Sequence, residues 1–438
     1  MIFLKYFLDD GNENHADTKW MQEEVKMVKD ELVVSLDIGT SKICTIVGEL
    51  DENNQLEIVG IGKNPSSGIK KGVIIDLDKA IQSIKLSLES AERMSGLRIS
   101  SAFISIAGNH ISSLNSKGVI AISNNSPEIN ENDIQKVIEA AKAGVISSER
   151  ELIHALSQEF IVDGQSGIVD PLGMSGARLE CKVHIITDSM TAVQNLIKSI
   201  EGSSLSINEV VFGALAASNT VLSNAEKEIG AMLVDIGAGT TEIAIFIEGA
   251  LVYSSVLPVG GNQITNDLAI GLRTSIEEAE RVKLNYGSAT EIKDKHKRNI
   301  EIKGSETNKK HKIPMDYLVE IIEPRVSEIF SLIQNELMKS GYSKMIPGGV
   351  IITGGSSRLS GLIEIAKQVI NLPIRIGYPR YEGELADMVN DPSFSTAIGL
   401  LNFANEKNSS GSIYKFSKKK VKVGNIFGRA ISWLKDFF

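Results

Sequence analysis

Several features that define common protein classes are scarce or absent in this sequence. Its 438 residues include two cysteines, Cys44 and Cys181, and six histidines that show no metal-ligand spacing. So few cysteines exclude a disulfide framework and favour a reducing compartment. The sequence has no Gly-x-x-x-x-Gly-Lys-Ser/Thr loop, which excludes a P-loop. Its opening apolar run, residues 1–8, is too short for a secretory signal and is followed at once by two aspartates.

The charge of the chain is acidic overall but basic at the C-terminal end. The net charge is −9, while residues 415–438 contain seven basic residues and one acidic residue. Another basic cluster, residues 293–312, is diluted by glutamates and an aspartate. Because nucleic-acid binding depends on concentrated positive charge, we predict no nucleic-acid partner. With 42% hydrophobic and 23% charged residues, the chain is typical of a protein with several subdomains.

One short pattern occurs twice, about 200 residues apart. Residues 32–36 form an apolar run that leads into Asp37-Ile-Gly-Thr-Ser-Lys, and residues 231–234 lead into Asp235-Ile-Gly-Ala-Gly-Thr-Thr. A second apolar run follows each turn, so each copy predicts a β-hairpin. Glycines expose backbone N–H groups at such a turn, where phosphate can bind beside the carboxylate. One copy would be weak evidence, but two predict a duplicated fold with one tip from each half.

A third glycine turn follows near the C-terminal end. Residues 350–353 predict a short buried strand, and Gly354 and Gly355 come directly after it. A double glycine leaves room for a flat base or a ribose. Helical apolar spacing follows Ser360. The three turns together predict a nucleotide site.

These motifs resemble those of the actin, sugar kinase and Hsp70 ATPase superfamily, in the order phosphate-1, phosphate-2 and adenosine. Within it, further runs are similar to the bacterial FtsA cell-division family. They cover residues 34–43, 171–176, 323–325, 353–358, 390–394 and 396–400. The resemblance implies an α/β, actin-like (ribonuclease H-like), duplicated two-lobed fold. It also implies a small α/β subdomain inserted in the first lobe and a C-terminal amphipathic helix.

The resemblance further implies ATP and magnesium as cofactors. Asp37 and Asp235 would hold the magnesium ion through water, as suits a hard cation that retains its water. Glu280 and Lys283 would contact the ribose and Arg358 the adenine, although a solvated surface pair and a surface arginine are the alternative. The remaining predicted nucleotide contacts are Gly39, Thr40, Ser41, Lys42, Gly237, Gly239, Thr240, Thr241, Gly354, Gly355 and Ser356.

The same comparison of motifs divides the chain into subdomains. Residues 1–29 match nothing in the family pattern and are expected to be a disordered extension or the product of a misassigned start site. The expected parts are a first core (30–107 and 183–204), an inserted subdomain (108–182), a second core (205–260 and 346–403), an outer subdomain (261–345), a flexible basic linker (404–424) and a membrane-targeting helix (425–438).

The last segment supports membrane attachment independently of the family. At about 100° per residue, its apolar side chains fall on one arc of a helical wheel. Lysines precede this segment, so it suits an anionic membrane surface, and it is far too short to span one. A helix packed on the protein's own core or on a partner is the alternative. The predicted membrane contacts are Ile426, Phe427, Ile431, Trp433, Leu434, Phe437 and Phe438.

The resemblance implies a polymerising protein that tethers FtsZ filaments to the cytoplasmic membrane at the septum and recruits later division proteins. The FtsZ C-terminal peptide would dock on the outer subdomain, where Arg325 is the candidate contact. We expect slow or absent ATP hydrolysis, because no local motif marks a residue that orients water. The alternatives are a small-molecule kinase or phosphatase of the same superfamily and a pilus-assembly relative.

Overall fold

The computed structural model describes residues 32–50, 55–123, 128–291, 299–304 and 310–409. The first lobe is built on a five-stranded sheet with the order β11-β6-β1-β2-β3. Its strands are β1 (Leu32–Ile38), β2 (Lys42–Leu50), β3 (Leu56–Pro65), β6 (Ser101–Ile106) and β11 (Ser206–Phe212). A small hairpin, β4 (Ile69–Lys70) with β5 (Val73–Ile74), precedes helix α1 (Leu77–Ser95). The Asp76 side chain caps α1 by accepting a hydrogen bond from the Lys79 amide.

The second lobe repeats this arrangement. Its sheet has the order β14-β13-β12-β17-β18. The strands are β12 (Ala231–Ile236), β13 (Thr241–Ile247), β14 (Ala250–Leu257), β17 (Val350–Thr353) and β18 (Ile374–Ile376). In both lobes the first strand pairs antiparallel with the next strand and parallel with a later one, β6 or β17. The predicted duplication is therefore confirmed.

The inserted subdomain has a sheet of its own, with the order β7-β10-β8-β9. It comprises β7 (Ser112–Ala121), α2 (Glu131–Lys142), β8 (Arg150–Val162), β9 (Gln165–Ile168) and β10 (Arg178–Ser189). The boundary predicted between residues 182 and 183 cuts β10, which pairs with β8 from Leu179 to Ser189. The insertion therefore extends to Ser189, and helix α3 (Met190–Gly202) returns the chain to the first lobe.

The outer subdomain packs on one face of the second sheet. It contains α6 (Gly261–Leu272), α7 (Ile276–Tyr286), β15 (Asn299–Lys303), β16 (Lys310–Pro314) and α8 (Met315–Ser340). Buried side chains of α8, such as Phe330 and Ile333, join this core. Two shorter helices follow, α9 (Leu362–Val369) and α10 (Ala386–Val389).

Two crossing helices join the lobes through a shared core. They are α4 (Gly213–Val221), followed by the short α5 (Asn224–Ile229), and α11 (Ser395–Ser409). One apolar cluster includes Ile46 of the first sheet, Ala216 of α4, Leu233 of the second sheet and Leu400 of α11. Because their interiors are continuous, the lobes meet along a packed apolar interface.

The predicted linker begins too early. Residues 404–409 continue α11, because Leu401 and Ala404 are buried against the shared core. Residues 1–29, the rest of the predicted linker and the predicted helix over residues 425–438 lie outside the described residues. No helix in the described part of the chain combines the length and apolar character needed to cross a membrane.

Candidate nucleotide site

Each lobe presents one hairpin tip at the same place in its sheet. We call residues 37–42, between β1 and β2, the first tip, and residues 235–241, between β12 and β13, the second tip. Gly39 N donates to Lys42 O at 3.0 Å, and Gly237 N donates to Thr240 O at 2.9 Å. The two turns therefore close in the same way, although their sequences differ.

Hydroxyl groups from distant strands and helices orient the two aspartates. Ser105 Oγ, on β6, donates to Asp37 Oδ1 at 2.8 Å. Thr396 Oγ1, on α11, donates to Asp235 Oδ2 at 3.1 Å. Each carboxylate is thus fixed at one oxygen by a neutral donor.

Glycine is required where the tips and the third turn approach one another. A Cβ atom on Gly239 would lie 2.7 Å from Thr40 Oγ1 of the opposite tip, which is too close for any side chain. Gly354 has φ +86°, and a Cβ there would overlap Asp235 Oδ1. This left-handed conformation favours glycine, so the third turn can lie directly against the second tip.

The three turns line one cavity of about 750 Å³ between the lobes. Ligand pockets for small molecules have volumes of this order. The structure brings to it Asp37, Gly39, Thr40, Ser41, Lys42, Asp235, Gly237, Gly239, Thr240, Glu280, Lys283, Gly354, Gly355, Ser356 and Arg358.

Thr241 is the exception among the predicted nucleotide contacts. Its side chain is fully buried, and its hydroxyl donates to Val259 O at 2.8 Å. The hydroxyl therefore closes a contact inside the second lobe, and the predicted phosphate contact of Thr241 is not supported by its position.

The pKa values of three carboxyl groups that line the cavity are raised. Burial raises the pKa of Asp37 above its usual value. Burial and the nearby Asp37 carboxylate raise the pKa of Asp235 to about 6. Burial, followed by the charge of Asp235, raises the pKa of Glu242 well above its usual value. A cation between these groups would reverse the trend, because it stabilises the charged carboxylates.

The donor set fits magnesium bound through its own water. Within the described ranges, no group of three or more His, Cys, Asp or Glu side chains is placed to ligate a metal ion. Two carboxylates, Asp37 and Asp235, nevertheless face the same cavity. Mg²⁺ commonly keeps several waters and uses one or two carboxylates together with substrate phosphates.

Glu280 and Lys283 form a defined pair on α7. Lys283 Nζ lies 2.7 Å from Glu280 Oε2 and donates to Thr265 Oγ1 at 2.8 Å. The Lys283 side chain is only 11% exposed. The Glu280 side chain is 38% exposed, so the lysine end of the pair is largely buried and the glutamate end is partly open to solvent.

Arg358 and Lys42 bind protein groups on the other side of the cavity. Arg358 Nε lies 3.3 Å from Asp391 Oδ2, and the arginine side chain is 62% exposed. Lys42 Nζ donates to Ser393 O and lies 4.6 Å from the centre of the Phe394 ring. Both cations thus contact the segment just before α11.

Arg325 lies on α8 in the outer subdomain and does not line the cavity. Its Nε and Nη2 atoms donate to the Asp267 carboxylate at 2.6 and 3.0 Å, and Nη1 donates to Glu328. This bidentate pair ties α8 to α6.

Sequence reasoning missed Glu242, Ser105, Thr396 and Lys63, which also line the cavity. Glu242 could have been predicted from the sequence, because it pairs with Asp235 in the predicted hairpin. The two hydroxyl residues come from elements far along the chain, so no local pattern marks them.

The duplicated lobes and the shared cavity define an actin-like ATPase fold. A PilM–PilN type IV pilus biogenesis complex matches 85% of this chain and 98% of its own chain, with a TM-score of 0.62 and 16% identity. MreB5 of Spiroplasma citri bound to AMPPNP matches 88% of this chain and 98% of its own, with a TM-score of 0.52 and 15% identity. At these identities the shared property is the fold.

The chain belongs to the FtsA family of cell-division proteins. The FtsA of Pseudomonas aeruginosa is 42% identical over 400 residues, which is 90% of this chain and 95% of the relative. The family model for cell division protein FtsA matches residues 232–399, and the model for the SHS2 domain inserted in FtsA matches residues 108–187. The second match agrees with β10 as part of the insertion. Membership of this family supports a role in cell division.

Proposed function

We propose that the chain binds ATP with magnesium and polymerises in an actin-like manner. The observation that carries this proposal is the meeting of both tips and the double-glycine turn on one cavity of about 750 Å³. Backbone N–H groups of the tips bind the phosphates. Asp37 and Asp235 hold the magnesium ion through water, and the ion supplies charge neutralisation for the phosphates.

The outer subdomain and the third turn hold the nucleoside. The Glu280 carboxylate accepts a hydrogen bond from Thr265 and retains an oxygen for a ribose hydroxyl. The planar guanidinium of Arg358 stacks on adenine beside Gly354 and Gly355. We expect hydrolysis to be slow or absent, because no local motif marks a residue that orients water.

We further propose that the chain tethers FtsZ filaments to the cytoplasmic face of the cell membrane at the division septum and recruits later division proteins. Its predicted C-terminal helix binds anionic lipid through the apolar face and the preceding lysines. One such helix binds reversibly, whereas a filament presents many at once. Polymerisation therefore increases the time spent at the membrane.

The outer subdomain is the proposed docking site for the FtsZ C-terminal peptide. Arg325 lies there with its side chain 27% exposed, paired with an equally accessible Asp267. Such a partly exposed ion pair can exchange partners at modest cost. The pair also provides a control, because Asp267→Asn removes one of the two carboxylate partners of Arg325, leaves Glu328 as the other and keeps the arginine.

The full chain tests the nucleotide and membrane parts separately. Binding of a fluorescent ATP analogue with magnesium and co-sedimentation with phosphatidylglycerol-containing liposomes are measured for Trp433→Glu. We expect ATP binding to remain and co-sedimentation to be lost, because a charge enters the apolar face. Trp20→Glu, at the only other tryptophan, is the matched control and should leave both unchanged. Undiminished sedimentation of Trp433→Glu would reject the anchor, and failure of the wild type to bind ATP would reject the nucleotide site.

A further inference from the structure

The amino end of α4 touches both the nucleotide cavity and the inserted subdomain. β11 ends at Phe212, which is fully buried, and α4 begins at Gly213. The first amides of a helix have no partner within the helix and need outside acceptors. Two such acceptors come from opposite sides of this helix end.

On the cavity side the acceptor is Glu242. Ala214 N donates to Glu242 Oε2 at 2.9 Å. Glu242 is 8% exposed, lines the cavity and stands opposite Asp235 in the β12–β13 pairing. A Cβ atom on Gly213 would lie 2.6 Å from the same oxygen, so the carboxyl group packs directly on the helix backbone.

On the other side the acceptor is a histidine of the inserted subdomain. Phe212 N donates to His154 Nε2 at 3.0 Å, and His154 is 3% exposed on β8. Nε2 can accept only in the neutral imidazole. Burial lowers the pKa of His154 to about 3, with a further contribution from Lys407. The acceptor is therefore available at neutral pH.

We propose that His154 is a positioning residue of the nucleotide site. It fixes the Phe212 amide, which fixes the first turn of α4 and thereby the place of the Glu242 carboxyl in the cavity. The inference rests on the proposed ATP binding and adds a path by which the inserted subdomain affects the affinity for ATP. Phe212 and Ala214 lie within one rigid turn, so a shift of α4 alters both hydrogen bonds. Nucleotide affinity and the placement of the inserted subdomain are then coupled reciprocally.

A second buried histidine of the same subdomain provides a matched control. His184, on β10, is 1% exposed, and its Nε2 lies 2.9 Å from Ser254 Oγ of β14. Ser113 Oγ also donates to Ser254 O there, at 2.7 Å. This contact joins the insertion to the second lobe outside the cavity, because neither His184 nor Ser254 lines it. His184 is near enough to His154 to contribute to the lowering of its pKa, so the two histidines share one environment and differ in the group they bind.

The experiment compares His154→Phe, His154→Gln and His184→Phe in the full chain. The dissociation constant for magnesium–ATP and the thermal unfolding midpoint are measured for each. We expect His154→Phe to weaken binding about five- to tenfold, the usual size of such couplings. His154→Gln should bind like the wild type, because its amide oxygen can accept from Phe212 N. His184→Phe should lower the unfolding midpoint without weakening ATP binding.

The results separate positioning from simple stability. Equal ATP affinities for His154→Phe and the wild type, or equal losses in both phenylalanine variants, would overturn the inference. If His154→Phe does not fold, hydrogen exchange of the wild type decides. Magnesium–ATP should change the exchange rate of the Phe212 amide and of β8 by at least about threefold, and unchanged rates would overturn the inference. Absence of ATP binding by the wild type would overturn both this inference and the proposed function.

Discussion

The two tips close with the same backbone hydrogen bond but differ in the residue opposite the aspartate. In the first tip Asp37 pairs with Cys44, and in the second Asp235 pairs with Glu242. Burial raises the pKa of the Cys44 thiol to about 11, so it is neutral at physiological pH. Glu242 instead carries a carboxyl group that binds the amino end of α4.

This difference distinguishes the features that both tips have from a contact that is described beside the second tip. Both tips close their turns alike and aim an aspartate at the cavity. Directly after the second tip, Glu242 binds the first turn of the helix whose amino end also binds His154 of the inserted subdomain. Duplication thus supplies two similar hairpin tips, and a single position after the second tip, Glu242, adds the contact with α4 on which the proposed coupling depends.

The largest expected effect comes from Gly354→Ala in the third turn, which disturbs the second tip through Asp235. The added Cβ would overlap Asp235 Oδ1, and the φ of +86° is strained for alanine. We expect ATP affinity to fall at least about 100-fold and the free energy of unfolding to fall by about 1–3 kcal/mol. Titration with a fluorescent ATP analogue and urea unfolding measure the two effects.

Gly355→Ala is the control for this substitution. Its Cβ would meet only Ser393 Cβ at 3.7 Å, an ordinary contact. It should bind ATP nearly as well as the wild type. Similar affinities for the two alanine variants would show that the third turn does not set the position of Asp235.

The second prediction asks whether the tips are equivalent. If one magnesium ion lies between them, Asp37→Asn and Asp235→Asn each lose the magnesium-dependent part of ATP affinity, about tenfold or more. The two losses should be similar and should vanish when EDTA removes the metal. Asp78→Asn, on the exposed surface of α1, should change nothing. A loss confined to one variant would contradict the shared ion.

The sequence predicted well those features that are formed by residues close together in the chain. The hairpin tips and Gly354 were predictable because strand, turn and glycine lie next to one another in the chain. The partners of the two aspartates, Ser105 and Thr396, were not, because each lies more than 60 residues away. Such contacts depend on how distant elements pack.

The errors have the same origin. Thr241 resembles a phosphate contact in sequence, but its hydroxyl is used by Val259 O inside the lobe. The start of the linker was placed at residue 404, because the surrounding residues are polar. Burial of Leu401 and Ala404 in the shared core keeps that segment helical.

The smallest expected effect is on the pH dependence of stability. The carboxyl groups of the cavity and the histidines of the inserted subdomain contribute to it with opposite signs. Burial lowers the pKa of His154 from 6.5 to about 3 and that of His184 to about 4. At these two histidines the unfolded chain binds more protons than the folded chain below about pH 6.5, so their contribution to stability falls as the pH falls through this window. The raised pKa of Asp235 acts in the opposite direction, because its proton favours the folded state below about pH 6.

Urea unfolding of His154→Gln at about pH 7 and pH 5 isolates the histidine contribution. Relative to the wild type, the variant should gain up to about 2 kcal/mol of stability on going from pH 7 to pH 5, the linkage energy of one histidine over this range. Lys136→Gln, an exposed ion-pair residue of the same subdomain, should retain the wild-type dependence on pH. An unchanged pH dependence in His154→Gln would mean that His154 is accessible to protons in the folded chain. In that case Nε2 would not accept a hydrogen bond from the Phe212 amide in mild acid. The proposed link from His154 through α4 to Glu242, beside the second tip, would then operate only near neutral pH.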